Sequence, residues 1–285
     1  MLKSDTLPMH RIILPETMQV VEFIPVSDLH IGSRMFDPQV IKDFVTWVLA
    51  KPNRYVGIGG DIGNYAIPGT KSDHWAEQLT PKQQIDVAVG LLDPIKERIL
   101  YILDGNHDER LYRAVAISPA EQIAVRLKIE NTYFEGVAYI ALNWGTRKAK
   151  RTSNGNYSSN SGKTNRALLY IYAEHGTGAA GTAAGKLNRA MKPANSALAN
   201  IYVVGHGHGQ VFTSDVLMVP SIQGGSPLIN RWPRMYSMCA PMIRKELYAY
   251  ILATSQPPVG HTGKYILYAD DNHYEYVAST CPFYD

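Results

Sequence analysis

Short apolar runs alternate with stretches of helical periodicity through the first two thirds of the chain. The apolar runs predict strands at 20–26, 54–58, 99–103, 133–144, 167–173 and 201–204. Apolar residues that recur every three to four positions predict helices at 38–50, 81–98, 119–129 and 179–191. Residues 211–285 have a β-rich pattern. Strands that alternate with helices indicate a layered α/β domain, which the last segment is expected to close.

Polar residues of metal-binding types follow five of the predicted strands. In chain order they are Asp28 and His30, then Asp61, then Asn106 and His107, then His175, and finally His206 and His208. Because the carboxyl ends of strands in layered α/β folds open onto a common crevice, these side chains are expected to converge. Any one group alone is commonly a solvated strand end, a turn or a helix N-cap. Five of the nine histidines lie at these ends, however, and this clustering favours a metal site.

The charges of the candidate ligands bear on both the metal and the substrate. Two divalent cations carry about four positive charges, of which Asp28 and Asp61 remove two, whereas neutral imidazoles and an amide remove none. The remaining charge of about +2 suits a phosphate group and a metal-bound hydroxide. Imidazole-rich ligation favours Mn, Fe, Zn, Co or Ni over Mg or Ca. Two such ions ~3.5–4 Å apart would activate a bridging water and hold both oxygens of an in-line displacement.

The composition is that of an ordinary globular protein and excludes several other classes. The chain has 285 residues and a formal net charge of +3, which is too small to indicate a nucleic-acid binder by itself. Its two cysteines, Cys239 and Cys281, exclude a disulfide scaffold and a cysteine-based zinc module. No apolar stretch reaches the roughly 18 residues of a membrane span, and the first residues lack the apolar core of a signal peptide. A cytoplasmic protein without membrane contact is therefore expected.

One segment between two predicted strands differs in composition from the rest of the chain. Residues 146–166 are rich in Ser, Asn and Gly and contain six Lys or Arg residues but no acid. We interpret the segment as an exposed hairpin or loop. One hypothesis is that it follows a nucleic-acid backbone, where basic side chains displace counterions. The alternative is a solvated loop that protects an edge strand from aggregation.

The strand-end groups and their glycines resemble the five-block signature of calcineurin-like metallophosphoesterases. The matching blocks are Asp28-Leu29-His30, Gly60-Asp61, Gly105-Asn106-His107-Asp108, His175 and Gly205-His206-Gly207-His208, within residues 20–210. The specific part is Gly-Asn-His-Asp followed by Gly-His-x-His. The resemblance implies a four-layer αββα sandwich, in which two mixed sheets are flanked by helices and a dinuclear metal site lies at one edge.

The resemblance also implies which residues bind each metal. One ion would be held by Asp28, His30 and His208, the other by Asn106, His175 and His206, and Asp61 would bridge the two. The expected cofactors are therefore two divalent transition-metal ions, manganese first among them.

Further residues receive roles in catalysis or substrate contact. The resemblance implies that His107 protonates the leaving oxygen or stabilises the transition state, and that Asp108 orients His107 by accepting a hydrogen bond. Asn64 stands where many members of the family have an acid, three residues after the bridging aspartate, which concerns the local pocket. Asn64, His74 and Arg110 are candidates for substrate contact, although a surface loop residue would show the same pattern as His74, and an exposed helix-start residue the same pattern as Arg110.

We expect an N-terminal extension at 1–19 and a single metallophosphoesterase domain at 20–285, closed by the β-rich segment 211–285. The expected activity is hydrolysis of phosphomonoesters or phosphodiesters by in-line attack of a metal-bridging hydroxide, on phosphorylated small molecules or nucleotides. A DNA or RNA nuclease is an alternative, because the Gly-Asn-His-Asp block also resembles the DNA-repair exonuclease branch of the family. An alternative of another class is a non-catalytic, metal-binding interaction scaffold.

Overall fold

The structure, a computed structural model, describes residues 9–70, 74–147, 166–178, 180–223, 226–243, 263–270 and 272–277. Most of the basic segment 146–166 and Cys281 lie outside the described residues. In the described part of the chain, no helix is long and apolar enough to cross a membrane.

Twelve strands of the described residues form two mixed sheets of six strands each. The first sheet has the order β12 (His273–Val277), β11 (Lys264–Tyr268), β2 (Val20–Val26), β3 (Arg54–Ile58), β4 (Ile99–Leu103) and β5 (Tyr133–Phe134). The second has the order β1 (His10–Ile13), β6 (Val137–Trp144), β7 (Ala167–Glu174), β8 (Ile201–Val204), β10 (Ser226–Met238) and β9 (Val211–Gln223). Strands β2 to β5 run parallel in the first sheet, as do β7, β8 and β10 in the second. The prediction of two mixed sheets is confirmed.

Five α-helices of the described residues flank these sheets. They are α1 (Pro38–Leu49), α2 (Pro81–Leu92), α3 (Asp108–Val115), α4 (Pro119–Leu127) and α5 (Ala183–Met191). Side chains of Asp37, Thr80, Ser118 and Thr182 cap four of the helices by accepting backbone N–H groups of the first turn. The helices pack on the outer faces of the sheets, so the expected four-layer arrangement is confirmed.

Some predicted boundaries were wrong for local reasons. The helix predicted at 81–98 ends at Leu92 and continues as a 3-10 turn, Asp93–Arg98, because Pro94 lacks the N–H that the α-helix requires. The strand predicted at 133–144 is two strands, separated by a turn in which Gly136 has a φ of 79°. Helix α5 begins at Ala183, after its cap, rather than at 179.

Three buried clusters correspond to the spaces between the layers. One lies between the two sheets and contains residues of both, such as Phe23 of β2 and Ile171 of β7. The second joins α1, α2 and α4 to the outer face of the first sheet, and the third joins α5 to the second sheet. Part of the segment 1–19 belongs to this architecture, because β1 pairs in parallel with β6.

Candidate metal centre

The candidate ligands lie in loops at the carboxyl ends of strands in both sheets. The loops after β2, β3 and β4 come from the first sheet, and the loops after β7 and β8 come from the second. Backbone hydrogen bonds join neighbouring loops: Asp28 N donates to Gly60 O at 3.0 Å, and His30 N donates to Asp61 O at 3.0 Å. The Ser27 hydroxyl donates to Gly59 O at 3.1 Å. The parallel strands therefore deliver these residues to one edge of the sandwich, as the sequence predicted.

The first group of possible metal ligands contains Asp28, His30 and His208, with one ligand atom from each within 4.8 Å of the others. His208 Nε2 lies 3.0 Å from Asp28 Oδ1, and His30 Nε2 lies 3.1 Å from His208 Nε2. Asp28 is fully buried and His30 is nearly so. These are the three residues that the resemblance assigned to one ion.

A second group contains Asp61, His175 and His206, again with ligand atoms within 4.8 Å. His175 Nε2 lies 3.3 Å from Asp61 Oδ2 and 3.0 Å from Asn106 Oδ1, so Asn106 joins this group. The other ring nitrogen of His175, Nδ1, lies 2.7 Å from Gly59 O and donates to it, which leaves Nε2 as the atom facing the group.

A third group, His30, Asp61 and His107, overlaps the other two. His30 also belongs to the first group and Asp61 to the second, so the ligand atoms form one continuous cluster. This arrangement agrees with a bridging position for Asp61. Which residue holds which ion stays a prediction.

The backbone is unusual at five of the candidate ligands. Asp28, His30, Asp61, His206 and His208 have φ angles between 45° and 61°, in the left-handed region that residues with a Cβ seldom adopt. Such conformations cost on the order of 1–3 kcal/mol each and cluster at functional sites, where the surrounding structure enforces them. All five residues belong to the ligand groups described above.

The ionisation of the cluster is set by burial and by mutual attraction. Burial alone would raise the pKa of Asp28 and of Asp61, but the nearby histidines lower both well below the usual range. Burial lowers the pKa of His30 and of His206, so their rings are neutral at pH 7. Burial would also lower the pKa of His175, but the Asp61 carboxylate raises it. Two buried carboxylates thus lie beside the neutral rings of His30 and His206, and their negative charges favour a cation between them.

The donor atoms fit a divalent transition metal. Four imidazoles, two carboxylates and an amide oxygen converge, and this mixed N/O set suits Mn, Fe, Zn, Co or Ni. Within the described ranges, His30 Nδ1 and His206 Nδ1 are buried and lack a hydrogen-bond partner. The identity of the metal is not specified by these ligands.

His107 lies beside the cluster, held by two neighbours. His107 Nδ1 lies 3.0 Å from Asn64 O, and Arg110 Nη2 lies 3.0 Å from His107 Nε2. Because a guanidinium only donates, Nε2 is the acceptor and Nδ1 carries the proton, which it donates to Asn64 O. Arg110 Nη1 also donates to Asn64 O, at 3.1 Å. Arg110 is therefore half-buried against His107 rather than fully exposed.

Asp108 does not orient His107, contrary to the expectation. Its Oδ2 accepts the backbone N–H of Asp61 at 2.8 Å and of Gly105 at 2.7 Å. Burial, together with the charges of Asp61 and Asp104, raises the pKa of Asp108 well above its usual value. Asp108 holds the loops after β3 and β4 together, and the orienting acceptor of His107 is the Asn64 carbonyl.

The side chain of Asn64 faces a buried polar network that sequence reasoning missed. Asn64 Nδ2 donates to Glu77 Oε1, and Gln84 Nε2 donates to Glu77 Oε2 at 2.6 Å. Gln84 Oε1 accepts the N–H of Tyr65 at 3.0 Å. Gln84 is fully buried on the apolar face of α2, and a polar residue on such a face is the signal that could have identified it.

His74 is not part of the metal-ligand groups found among the described residues. It lies in a 3-10 turn, His74–Ala76, and its ring packs on Trp75 with centroids 4.7 Å apart. The Trp75 side chain is 85% exposed. A role of His74 in substrate contact stays a prediction.

A cleft of about 950 Å³ opens next to the cluster. Its walls include Asn106, His175 and His206 together with Arg189 and Lys192. This volume lies within the ~300–1,000 Å³ typical of sites for small organic ligands. Asn106, His175 and His206 therefore face a cleft that can hold a substrate of that size.

Comparisons with known proteins give distant similarities. No protein-family model and no curated protein matches the chain. The calcineurin-like phosphoesterase YfkN from Bacillus subtilis aligns with a TM-score of 0.28 at 9% identity, over 76% of this chain and 90% of that one. A Staphylococcus aureus protein described as a 5'-nucleotidase, solved with alpha-ketoglutarate, aligns with a TM-score of 0.36 at 11% identity. That alignment covers 91% of this chain and 54% of the other, so this chain spans about half of its length. Function is therefore argued below from the geometry of the cluster.

Proposed function

We propose that this protein is a metal-dependent phosphoesterase that hydrolyses phosphomonoesters or phosphodiesters. The observation that carries the proposal is the continuous cluster of carboxylate and imidazole ligand atoms, each group within 4.8 Å, at the carboxyl ends of five strands. When bound, two divalent cations would supply Lewis-acid activation of a water and neutralise charge on the phosphoryl group. Asp28, His30 and His208 would hold one of them, and Asn106, His175 and His206 the other, with Asp61 between them.

The chain's own residues would position the substrate and serve the leaving group. His107 Nε2 lies 3.8 Å from Asp61 Oδ2, and this proximity to the cluster supports a position of the His107 ring beside the bound phosphoryl group. In the present arrangement this nitrogen accepts from Arg110 and holds no proton. For His107 Nε2 to protonate a leaving oxygen, Arg110 has to give up its hydrogen bond to His107. A phosphoryl oxygen is the partner that the guanidinium would take instead, through charge-assisted hydrogen bonds.

The test combines metal analysis with a panel of substrates. Protein dialysed against manganese should hold about two ions per chain and should cleave p-nitrophenyl phosphate or bis-p-nitrophenyl phosphate. Asp61→Asn should lose both properties. Asp43→Asn, which changes the same residue type on α1, is the matched control and should retain both.

The alternative functions are outcomes of the same test. Cleavage of single-stranded DNA with neither chromogenic ester cleaved would favour the nuclease. Full metal content with no substrate cleaved would refute the phosphoesterase and favour the interaction scaffold. Absence of bound metal would refute the centre itself.

A further inference from the structure

Helix α5 is attached to a loop that carries a candidate ligand. The Arg189 guanidinium donates hydrogen bonds to the carbonyl oxygens of Thr177 and Gly178, which follow His175 in the chain. The first turn of α5 is capped by Thr182, whose hydroxyl accepts the Gly185 N–H at 3.1 Å. The helix is therefore held at a defined position beside the cluster.

Lys186 of α5 reaches the other ligand-bearing loop of the second sheet. Its Nζ lies 2.1 Å from the position that a Cβ on Gly209 would occupy. Since a Cβ lies about 1.5 Å from its Cα, the ammonium group is within about 4 Å of the backbone at Gly209. Gly209 follows His208 directly, so Lys186 brings a positive charge next to a candidate metal ligand.

This ammonium group has no counter-ion in the part of the chain that the structure describes. No described acid lies within ion-pair distance of Lys186, although Lys186 is half-buried. Burial lowers the pKa of Lys186, and no neighbouring charge opposes this effect. Desolvation of an ammonium group that has no partner is costly. An anion from a ligand would supply the missing partner.

A second cation from the same region faces the cleft. Lys192 follows α5 directly and lines the cleft together with Asn106 and His206. Lys192 likewise forms no ion pair with any described residue. Lys186 thus lies next to Gly209, which follows His208, and Lys192 lines the cleft that His206 also lines. Their charges add to those of the metal ions, which by themselves suffice for one phosphate.

We propose that Lys186 binds a second phosphate of the substrate, next to the one that is hydrolysed. The preferred substrates are then phosphate compounds with more than one phosphate, rather than simple monoesters. A nucleoside diphosphate and an oligonucleotide backbone are two sources of this chemistry. The proposal rests on the proposed function for its hydrolysed phosphate, but the binding of the second phosphate is measurable without turnover.

The test measures dissociation constants of manganese-loaded protein by calorimetry. The probes are adenosine 5'-(α,β-methylene)diphosphate, a phosphorothioate pentathymidylate and inorganic phosphate. Lys186→Met should weaken binding of at least one of the first two probes about tenfold, the effect of removing one hydrogen bond between charged groups. Lys186→Arg, which keeps the charge, should restore most of the affinity. Lys42→Met, an exposed lysine of α1, is the matched control and should bind like the wild type.

The outcomes separate the source of the phosphate from the proposal itself. A loss for the diphosphate analogue alone identifies a nucleotide, and a loss for the pentathymidylate alone identifies a polynucleotide backbone. An equal loss for inorganic phosphate would place Lys186 on the hydrolysed phosphate and overturn the proposal. Unchanged affinity of Lys186→Met for both larger probes would also overturn it. Binding that depends on Lys186 in a protein that hydrolyses nothing would refute the proposed function alone.

Discussion

Replacement of Gly105 by alanine tests whether the space around Asp61 is needed for metal binding. A Cβ on Gly105 would lie 2.1 Å from Asp61 Oδ1 and 2.3 Å from Asp61 N, whereas ordinary contact begins at 3.4 Å. The carboxylate oxygen would therefore have to move by about 1.3 Å. A metal site tolerates deviations of only about 0.2 Å from the ideal metal–ligand distances. Gly105 does not have a positive φ, so the added atom and not the backbone conformation is the perturbation.

We expect Gly105→Ala to lose bound manganese and to lower kcat/KM by about 10²-fold or more, the cost of a displacement of about 1 Å in an active site. Metal content after dialysis and hydrolysis of bis-p-nitrophenyl phosphate are the two measurements. Gly90→Ala in α2 is the matched control, because nothing lies within 4 Å of its added Cβ. It should keep metal and activity, and it should raise the free energy of unfolding by about 0.5–1 kcal/mol. A Gly105→Ala protein with full metal content and control-level activity would refute this reasoning.

Three further predictions concern catalysis, metal removal and pH. His107→Ala should lower kcat by about 10²–10⁴-fold with metal content retained, the usual contribution of a general acid or base; unchanged turnover would remove its assigned role. Chelation of the metal should lower the melting temperature, since a ligand at a hundred times its Kd adds about 2.7 kcal/mol to the free energy of unfolding. A melting temperature that does not change when the metal is removed would contradict metal binding to the folded protein. Burial alone would raise the pKa of Glu22, but hydrogen bonds from Lys264, Lys51 and Arg54 lower it from 4.5 to about 2. Because the folded-state pKa is depressed, these ion pairs stabilise the fold above pH 4.5 and lose that contribution as pH falls toward 2. Glu22→Gln should therefore unfold at lower denaturant concentration than the wild type at pH 7, with a smaller difference at pH 3; a difference independent of pH would oppose this explanation.

Most of the candidate ligands, those after β2, β3, β4 and β8, could be found from sequence because they follow strands that are almost entirely buried. Such strands are continuous apolar runs, so β3 and β4 were predicted with their observed bounds, and Asp61 and Asn106 stand just beyond their ends. Helix α3 was not predicted as a separate element. Four of its eight residues, Asp108, Glu109, Arg110 and Arg113, are charged and only Asp108 is buried, so its few apolar residues were not recognised as a helical face.

The contacts of His107 could not be found in the same way. The acceptor for His107 Nδ1 is the backbone carbonyl of Asn64. Because every residue has a backbone carbonyl, the residue types in a sequence do not indicate which carbonyl accepts this hydrogen bond. Arg110 binds His107 because the first turn of α3 brings residues three positions apart together. The network of Glu77 and Gln84 depends on loops that meet only in the folded chain.

The sequence by itself determined the layered α/β class, the strand ends that are followed by candidate metal ligands, and the residue types of those ligands. These features are local, since each depends on the pattern of one short segment and on the preference of its residues. The convergence of these strand ends could be expected from the fold class, but only the tertiary structure decided which atoms of the loops after β2, β3, β4, β7 and β8 face one another. It also decided that Asp108 joins loops and that Lys186 lies beside Gly209. The physical reason is that such pairings depend on sheet packing and backbone conformation across distant segments, which no single segment of the chain encodes.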